Sequence, residues 1–212
     1  MVNHKLKRIA FRVVTGLVSV ALVLFIMSCQ ENTSTGSDEG FTTIDIQPFI
    51  GISKDRVIYV VDQLSKIYPH VELKQPIQLP RLAYYPGRNR YRADSVLRFL
   101  ASRTTPGHIT IGLTDKDIST TKGSVLDWGV MGLGYCPGKA CVVSMFRLSV
   151  KEMNTQLFKI SIHELGHTHG LPHCPVKSCF MRDAEGSNHT NEETGFCTNC
   201  KQRMIDKGWL LN

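Results

Sequence analysis

Apolar residues recur at helical spacing along several segments of the chain. In residues 53–68 they form one face of a helix that Ser53 can cap at its N-terminus. The apolar positions of this segment are Val57, Ile58, Val60, Val61, Leu64, Ile67 and Tyr68. Residues 91–103 show the same period, and residues 158–169 complete the set of three predicted helices.

Five short runs of apolar and β-branched residues predict strands. The runs are residues 44–49, 71–73, 108–113, 125–132 and 140–148. Strands and helices alternate up to residue 170, and strand patterns then stop. We therefore predict an α+β fold with a small irregular C-terminal part. Residues 41–212 suffice for one domain with a substantial core, and they contain no internal repeat.

The first 28 residues have the organisation of a secretory signal. Four basic residues precede a mostly apolar stretch over residues 13–27, which is too short for a comfortable membrane span. The residues Ile-Met-Ser-Cys that end at Cys29 resemble a bacterial lipobox, where cleavage leaves a lipidated N-terminal cysteine. We expect a lipoprotein signal peptide over residues 1–28 and lipid on Cys29. An uncleaved anchor, or an ordinary signal peptide with an incidental cysteine, is the alternative.

Residues 29–40 are rich in Ser, Thr, Asn, Glu and Gly, a composition typical of a flexible tether. Such a segment has a root-mean-square span of about 18 Å. Lipid on its first residue would hold the following domain close to a membrane surface. We divide that domain, residues 41–212, into an upper subdomain (residues 41–170) and a lower subdomain (residues 171–212).

The last predicted helix carries a pattern of metal ligands. His163 and His167 are four residues apart, so both lie on one helical face and can bind a single ion. Glu164 follows the first histidine, where its carboxylate can reach a metal-bound water without occupying a coordination position. Glu164 is therefore the candidate general base.

A third ligand requires the helix to end. Gly170 tolerates the left-handed conformation that terminates helices, and Pro172 discourages continuation, so the chain can turn back and present His173. Three imidazoles leave the fourth tetrahedral position of zinc to water, which distinguishes a catalytic zinc site from a structural one. His169 points away from the shared face, and we expect it on the surface or behind the ligands.

The extended pattern H-E-x-x-H-x-x-G-x-x-H resembles that of the metzincin clan of zinc peptidases. Met181 lies where that clan has the methionine of its Met-turn. Cys174 directly follows the third histidine, and the other three cysteines of the C-terminal part are Cys179, Cys197 and Cys200. From about residue 127 onward the chain is similar to the archaemetzincin family, although the spacing from Met181 to Cys197 is slightly shorter than in the family's pattern.

The resemblance implies a metzincin-like fold, in which a twisted mixed sheet with backing helices lies above a cleft and an irregular subdomain with the Met-turn lies below. An edge strand above such a cleft pairs with an extended peptide, and residues 129–134 or 140–144 are the candidates. The resemblance also implies a second, structural zinc at the four C-terminal cysteines, whose spacing suits a closed site. Two disulfides are the alternative in an exported protein.

The remaining two cysteines, Cys136 and Cys141, flank a short turn-forming segment. We interpret them as a possible local disulfide, with free thiols as the alternative.

The formal net charge of +7 comes largely from the leader. Without residues 1–28 the chain has 21 Lys and Arg against 18 Asp and Glu, a net charge of +3. This balance gives no case for nucleic acid as a partner. Arginines and tyrosines alternate over residues 81–103, and we interpret them as a solvated loop and an exposed helix face, with attraction to an anionic membrane as the alternative.

Taken together, these features predict a monomeric zinc metallopeptidase of the bacterial cell envelope, on its periplasmic or extracellular face. Its partners would be a peptide or protein substrate and, through the lipid, a membrane. The family resemblance suggests an aminopeptidase, or an endopeptidase of narrow preference. The alternatives are a non-catalytic zinc-containing binding protein tethered to the membrane, or a zinc hydrolase acting on a non-protein amide.

Overall fold

The computed structural model describes residues 42–211. The predicted signal peptide, the lipidation site Cys29 and the tether lie outside this range. None of the helices within it has the length and apolar character needed to cross a membrane. The strands are β1 (Thr43–Pro48), β2 (Val71–Leu73), β3 (Tyr84–Tyr85), β4 (Arg90–Arg92), β5 (His108–Thr114), β6 (Ile118–Lys122), β7 (Val125–Val130), β8 (Gly132–Gly134) and β9 (Ala140–Ser144). The α-helices are α1 (Lys54–Ser65), α2 (Ala93–Arg103), α3 (Met153–Thr168) and α4 (Thr198–Ile205).

The main sheet has five strands in the order β2-β1-β5-β9-β8. The first four are parallel to their neighbours, and β8 runs antiparallel to β9 at the edge. This mixed sheet confirms the predicted fold class. Because β9 lies between β5 and β8, it is an interior strand. Of the two candidate edge segments, only the one that contains β8 lies at the edge.

Helices cover both faces of this sheet. Along β9 the side chains alternate between two cores: Cys141 and Val143 pack in the cluster that includes α1 and α3, whereas Ala140 and Val142 pack in the cluster that includes α2. All five residues of β9 are buried. Burial on both faces is why β9 is a continuous apolar run and not an alternating one.

A second sheet, with the order β3-β4-β6-β7, was not predicted. Three of its strands, β3, β4 and β6, have five residues or fewer, and the Ile-Ser-Thr-Thr-Lys sequence of β6 is largely polar, so these strands give no apolar alternation. The predicted strand over residues 125–132 is in fact divided, because β7 belongs to this sheet and β8 to the main sheet. The predicted helix over residues 91–103 begins only at Ala93, after β4.

The chain after α3 is irregular, as predicted, apart from isolated bridges and the unpredicted α4. Two side chains at its end, Met204 and Trp209, are buried in the same cluster as α1 and α3. The Trp209 ring lies 5.0 Å from the Tyr68 ring, centroid to centroid. The C-terminal segment is therefore held by the core that includes α1 and α3.

Candidate metal and catalytic site

Helix α3 brings the first two predicted ligands together. The imidazole rings of His163 and His167 are 4.6 Å apart, centroid to centroid. Each Nδ1 donates a hydrogen bond to a backbone carbonyl, from His163 to Phe180 at 2.6 Å and from His167 to Leu171 at 2.7 Å. These bonds orient the rings and leave both Nε2 atoms available to a metal ion.

The third predicted ligand joins them because the helix ends as expected. Gly170 has φ +85° and its N–H bonds the His167 carbonyl, while Leu171 N–H bonds the Gly166 carbonyl at 3.0 Å. Such a left-handed glycine terminates helices and reverses the chain. His173 then lies with its ring 4.8 Å from that of His167, and its Nδ1 is 3.3 Å from an oxygen of Asp183.

The three histidines fit a zinc ion. One ring nitrogen of each lies within 4.8 Å of the others. Burial, reinforced by the neighbouring His167, lowers the pKa of His163 to about 3, and burial also lowers the pKa of His167. The neutral imidazoles that zinc requires are therefore the forms that this environment favours.

Glu164 lies beside these ligands under the edge strand β8. Its side chain is buried, and a Cβ on Gly132 would overlap its Oε1 atom. A Cβ on Gly134 would lie 2.9 Å from the Glu164 backbone oxygen. The two glycines thus leave the space that the carboxylate occupies. Burial raises the pKa of Glu164 to about 8, and a bound dication would favour its charged form.

Met181 is fully buried beneath the ligand-bearing helix. A Cβ on Gly166, between the two helical histidines, would overlap the Met181 sulfur. The Met181 carbonyl accepts a hydrogen bond from the N–H of Cys174 at 2.8 Å. The methionine therefore supports α3 from below and links it to the cysteine cluster.

The four C-terminal cysteines also converge, with their sulfurs all within 4.8 Å of one another. All four thiols are free, and the Cys174 and Cys197 sulfurs are 3.7 Å apart. That is far from the length of a disulfide bond and close to the roughly 3.8 Å that separates thiolates around tetrahedral zinc with bonds of about 2.3 Å. Burial raises the pKa of the Cys179 thiol, and the backbone N–H groups of Met181 and Cys197, which its Sγ accepts, oppose that rise only in part. The cluster fits zinc.

The local disulfide between Cys136 and Cys141 is not formed in this structure. Both thiols are free: Cys136 is exposed and its Sγ–H donates to the Leu171 carbonyl, whereas Cys141 is buried among the apolar side chains of the core. The alternation of β9 directs the Cys141 side chain into that core, away from the turn.

His169 lies outside the cluster of three histidines. Its Nε2 accepts a hydrogen bond from the Trp209 indole at 3.1 Å, and burial lowers its pKa to about 4. The neutral imidazole joins the end of α3 to the C-terminal segment.

The three histidines line a cleft of about 610 Å³. Sequence analysis missed several side chains of its walls, which come from β7, the segment after β9 and the loop after Met181: Trp128, Arg147, Arg182, Asp183 and Glu193. Arg182 and Asp183, one and two residues after Met181, lie close enough in sequence to a predicted site residue to have been identified. The others are brought to the cleft by tertiary folding.

Arg147 shows how this wall is built. Its guanidinium forms two hydrogen bonds with the buried carboxylate of Asp117, at 2.8 and 2.9 Å. Arg90 also bonds Asp117, at 2.6 Å, and Arg90 in turn bonds Asp127. A Cβ on Gly129 would overlap the Arg147 guanidinium. This network fixes the second sheet against the cleft.

Comparison with known proteins finds the archaemetzincin family, which the sequence motifs of this chain resemble. The archaemetzincin of Methanopyrus kandleri is 31% identical over 155 residues, which cover 69% of this chain and 86% of that protein. The archaemetzincin of Haloarcula marismortui is 28% identical over 176 residues, 76% of this chain and 99% of that protein.

Solved structures agree with these relatives. The crystal structure of the Methanopyrus kandleri archaemetzincin superposes with a TM-score of 0.67 at 27% identity, covering 79% of this chain and 95% of that one. The crystal structure of the Archaeoglobus fulgidus archaemetzincin complexed with malonate superposes with a TM-score of 0.66 at 28% identity. The match covers 76% of this chain and 99% of that one. The family model of peptidase family M54 matches residues 88–206. The chain therefore belongs to peptidase family M54, the archaemetzincins, and is a zinc metallopeptidase.

Proposed function

We propose that His163, His167 and His173 hold the catalytic zinc and that Glu164 is the general base of peptide hydrolysis. When bound, zinc lowers the pKa of a water ligand toward neutrality and stabilises the negative charge that develops on the substrate carbonyl. The Glu164 carboxylate accepts a proton from the attacking water and returns it to the leaving amine. The observation that carries this proposal is the buried Glu164 carboxylate beside three converging imidazoles, in space left by Gly132 and Gly134.

The edge strand β8 supports the same proposal. It pairs with β9 on one side, and its residues line the cleft. The free side of an edge strand can pair with an extended peptide through backbone hydrogen bonds. A substrate bound there would pass its scissile bond over Glu164, because that carboxylate contacts Gly132.

Substitution of the base tests this assignment. Glu164→Gln keeps the size of the side chain and removes its ability to accept a proton, so zinc content and folding should be retained while kcat falls by roughly 100- to 10,000-fold. The measurement is peptide hydrolysis alongside elemental zinc analysis. Undiminished turnover by the zinc-loaded variant would refute the role of Glu164.

We also infer that the four C-terminal cysteines hold a second zinc. Free thiols at a spacing suited to tetrahedral thiolates support this inference. The ion would join the loop carrying Met181 to α4.

The N-terminal sequence supports a lipid anchor on Cys29 and attachment to the bacterial cell envelope. Cells that express the full chain with a labelled fatty acid should incorporate the label, and Cys29→Ala should abolish both labelling and recovery in the membrane fraction. A labelled Cys29→Ala protein would contradict this proposal.

A further inference from the structure

Glu193 is a buried acidic residue of the cleft that the mechanism does not use. It is 6% exposed and lines the same cleft as His163 and Glu164. Among the residues that the structure describes, no side chain or backbone group donates a hydrogen bond to its carboxylate. Burial of a carboxylate without such donors is costly, and burial raises the pKa of Glu193 to about 7.

Residue 193 holds its loop against α3 through its backbone carbonyl and not through its side chain. Lys159, four residues before His163 on α3, donates from Nζ to the carbonyl oxygens of Thr190 and Glu193, each at 2.6 Å. These bonds hold the loop against the helix next to the first zinc ligand. Since any residue at position 193 would supply the same carbonyl, they do not explain the carboxylate.

Other acidic side chains nearby have partners. Asp183 lies 3.3 Å from the His173 ring, and Glu192 pairs with Arg182 at 2.8 Å. Lys159 and Arg182 both lie close enough to Glu193 to favour its charged form. The Lys159 ammonium is engaged by the two backbone carbonyls, and the Arg182 guanidinium pairs with Glu192. The Glu193 carboxylate therefore remains available to a cation that enters the cleft.

We propose that Glu193 is a substrate-binding residue that receives a cationic group of the peptide, either its free α-amino group or the side chain of a lysine or arginine. A cation supplies the charged hydrogen-bond donors that this carboxylate lacks. This inference rests on the proposed peptidase function and adds a substrate preference to it.

The test is a panel of peptides derived from one parent sequence. In each peptide a single position carries either lysine or the uncharged norleucine, and every peptide is prepared with a free and with an acetylated N-terminus. The wild-type zinc enzyme should favour one cationic form by roughly 10- to 100-fold in kcat/KM, as expected for a hydrogen bond to a charged group. Sensitivity to acetylation assigns the α-amino group, and sensitivity to lysine at one position assigns a side chain.

Three variants test whether the preference for a cationic peptide depends on the Glu193 carboxylate. Glu193→Gln should remove it, and Glu193→Asp, which retains the charge, should keep part of it. The matched control is Glu192→Gln, which removes the same charge from an exposed neighbour and should leave the preference in place. Binding of the same peptides to the zinc-loaded Glu164→Gln protein, measured by calorimetry, should show the same fold-changes in Kd.

The possible failures are distinguishable. If peptides are hydrolysed or bound without any preference for a cationic form, or if the preference survives in Glu193→Gln, the role of Glu193 is overturned and the peptidase assignment stands. If the zinc-loaded wild type hydrolyses no peptide, the proposed function fails, while the binding measurements still decide whether Glu193 recognises a cation.

Discussion

Two glycines of β8 leave the room that the Glu164 side chain occupies. Gly132 faces the carboxylate and Gly134 faces the backbone of the same residue. The sequence identified residues 129–134 only as a candidate edge strand, because the approach of β8 to α3 is a long-range contact. A third glycine, Gly166, leaves room for Met181 under the helix in the same way.

Gly132→Ala should therefore damage catalysis without removing the metal. The added methyl group would overlap Oε1 of Glu164 and displace the carboxylate by about 1 Å, which can lower kcat/KM roughly 100-fold. Zinc content should not change, since no ligand is touched. Gly195→Ala is the control, because a Cβ there meets no atom within 4 Å and activity should be retained. Full activity of Gly132→Ala would show that this contact does not position the base.

Three of the site residues predicted from the sequence lie on a single helix. His163, Glu164 and His167 lie within one turn or so of a single helix, so their spacing alone places them together. Arg147 and Glu193 reach the same cleft from separate segments, and no local sequence pattern predicts that they line it. Their contacts, with Asp117 and with Lys159, exist only in the folded chain.

At the scale of elements, the predictions succeeded where one face of a segment packs against a large core. The helices α1 and α3 and the strands β1, β5 and β9 all contribute to the main cluster and carry its apolar period. The second sheet and α4 were missed because their stability comes from contacts that local patterns do not encode. The eight residues of α4 bury only Cys200 and Met204, too few to show a helical stripe.

The cysteine cluster connects several of these irregular elements, and its loss should lower the stability of the folded protein. Cys197→Ser should release one zinc per chain and lower the melting temperature by about 10 °C, because roughly 3 kcal/mol of stability is lost with the ion. Elemental analysis and thermal unfolding measure both effects. Cys136→Ser, which changes a thiol outside the cluster, should keep the full zinc content.

Disulfides would behave differently. A reducing agent alone would then destabilise the protein, and a chelator would remove no ion from the cluster. Either result would contradict the assignment of a second zinc site.

At the scale of the molecule, the cleft lies between an upper part built from sheets and helices and a lower part built largely from loops. The lower part is held by Trp209 and Met204 in the core, by the hydrogen bond from Trp209 to His169, and by the cysteine cluster. His173, the third proposed zinc ligand, belongs to this lower part. Coupling of the two parts means that events at the structural cluster should affect the geometry of the catalytic ligands.

The most direct test of the account is a zinc titration of the metal-free protein, with bound zinc and peptide hydrolysis measured in the same samples. We predict two zinc ions per chain at saturation, with hydrolysis appearing only as the histidine site fills. In His167→Ala, hydrolysis should be lost and one zinc ion retained. Hydrolysis by the metal-free protein, or undiminished hydrolysis by His167→Ala, would contradict the assignment of the three histidines as the catalytic zinc site.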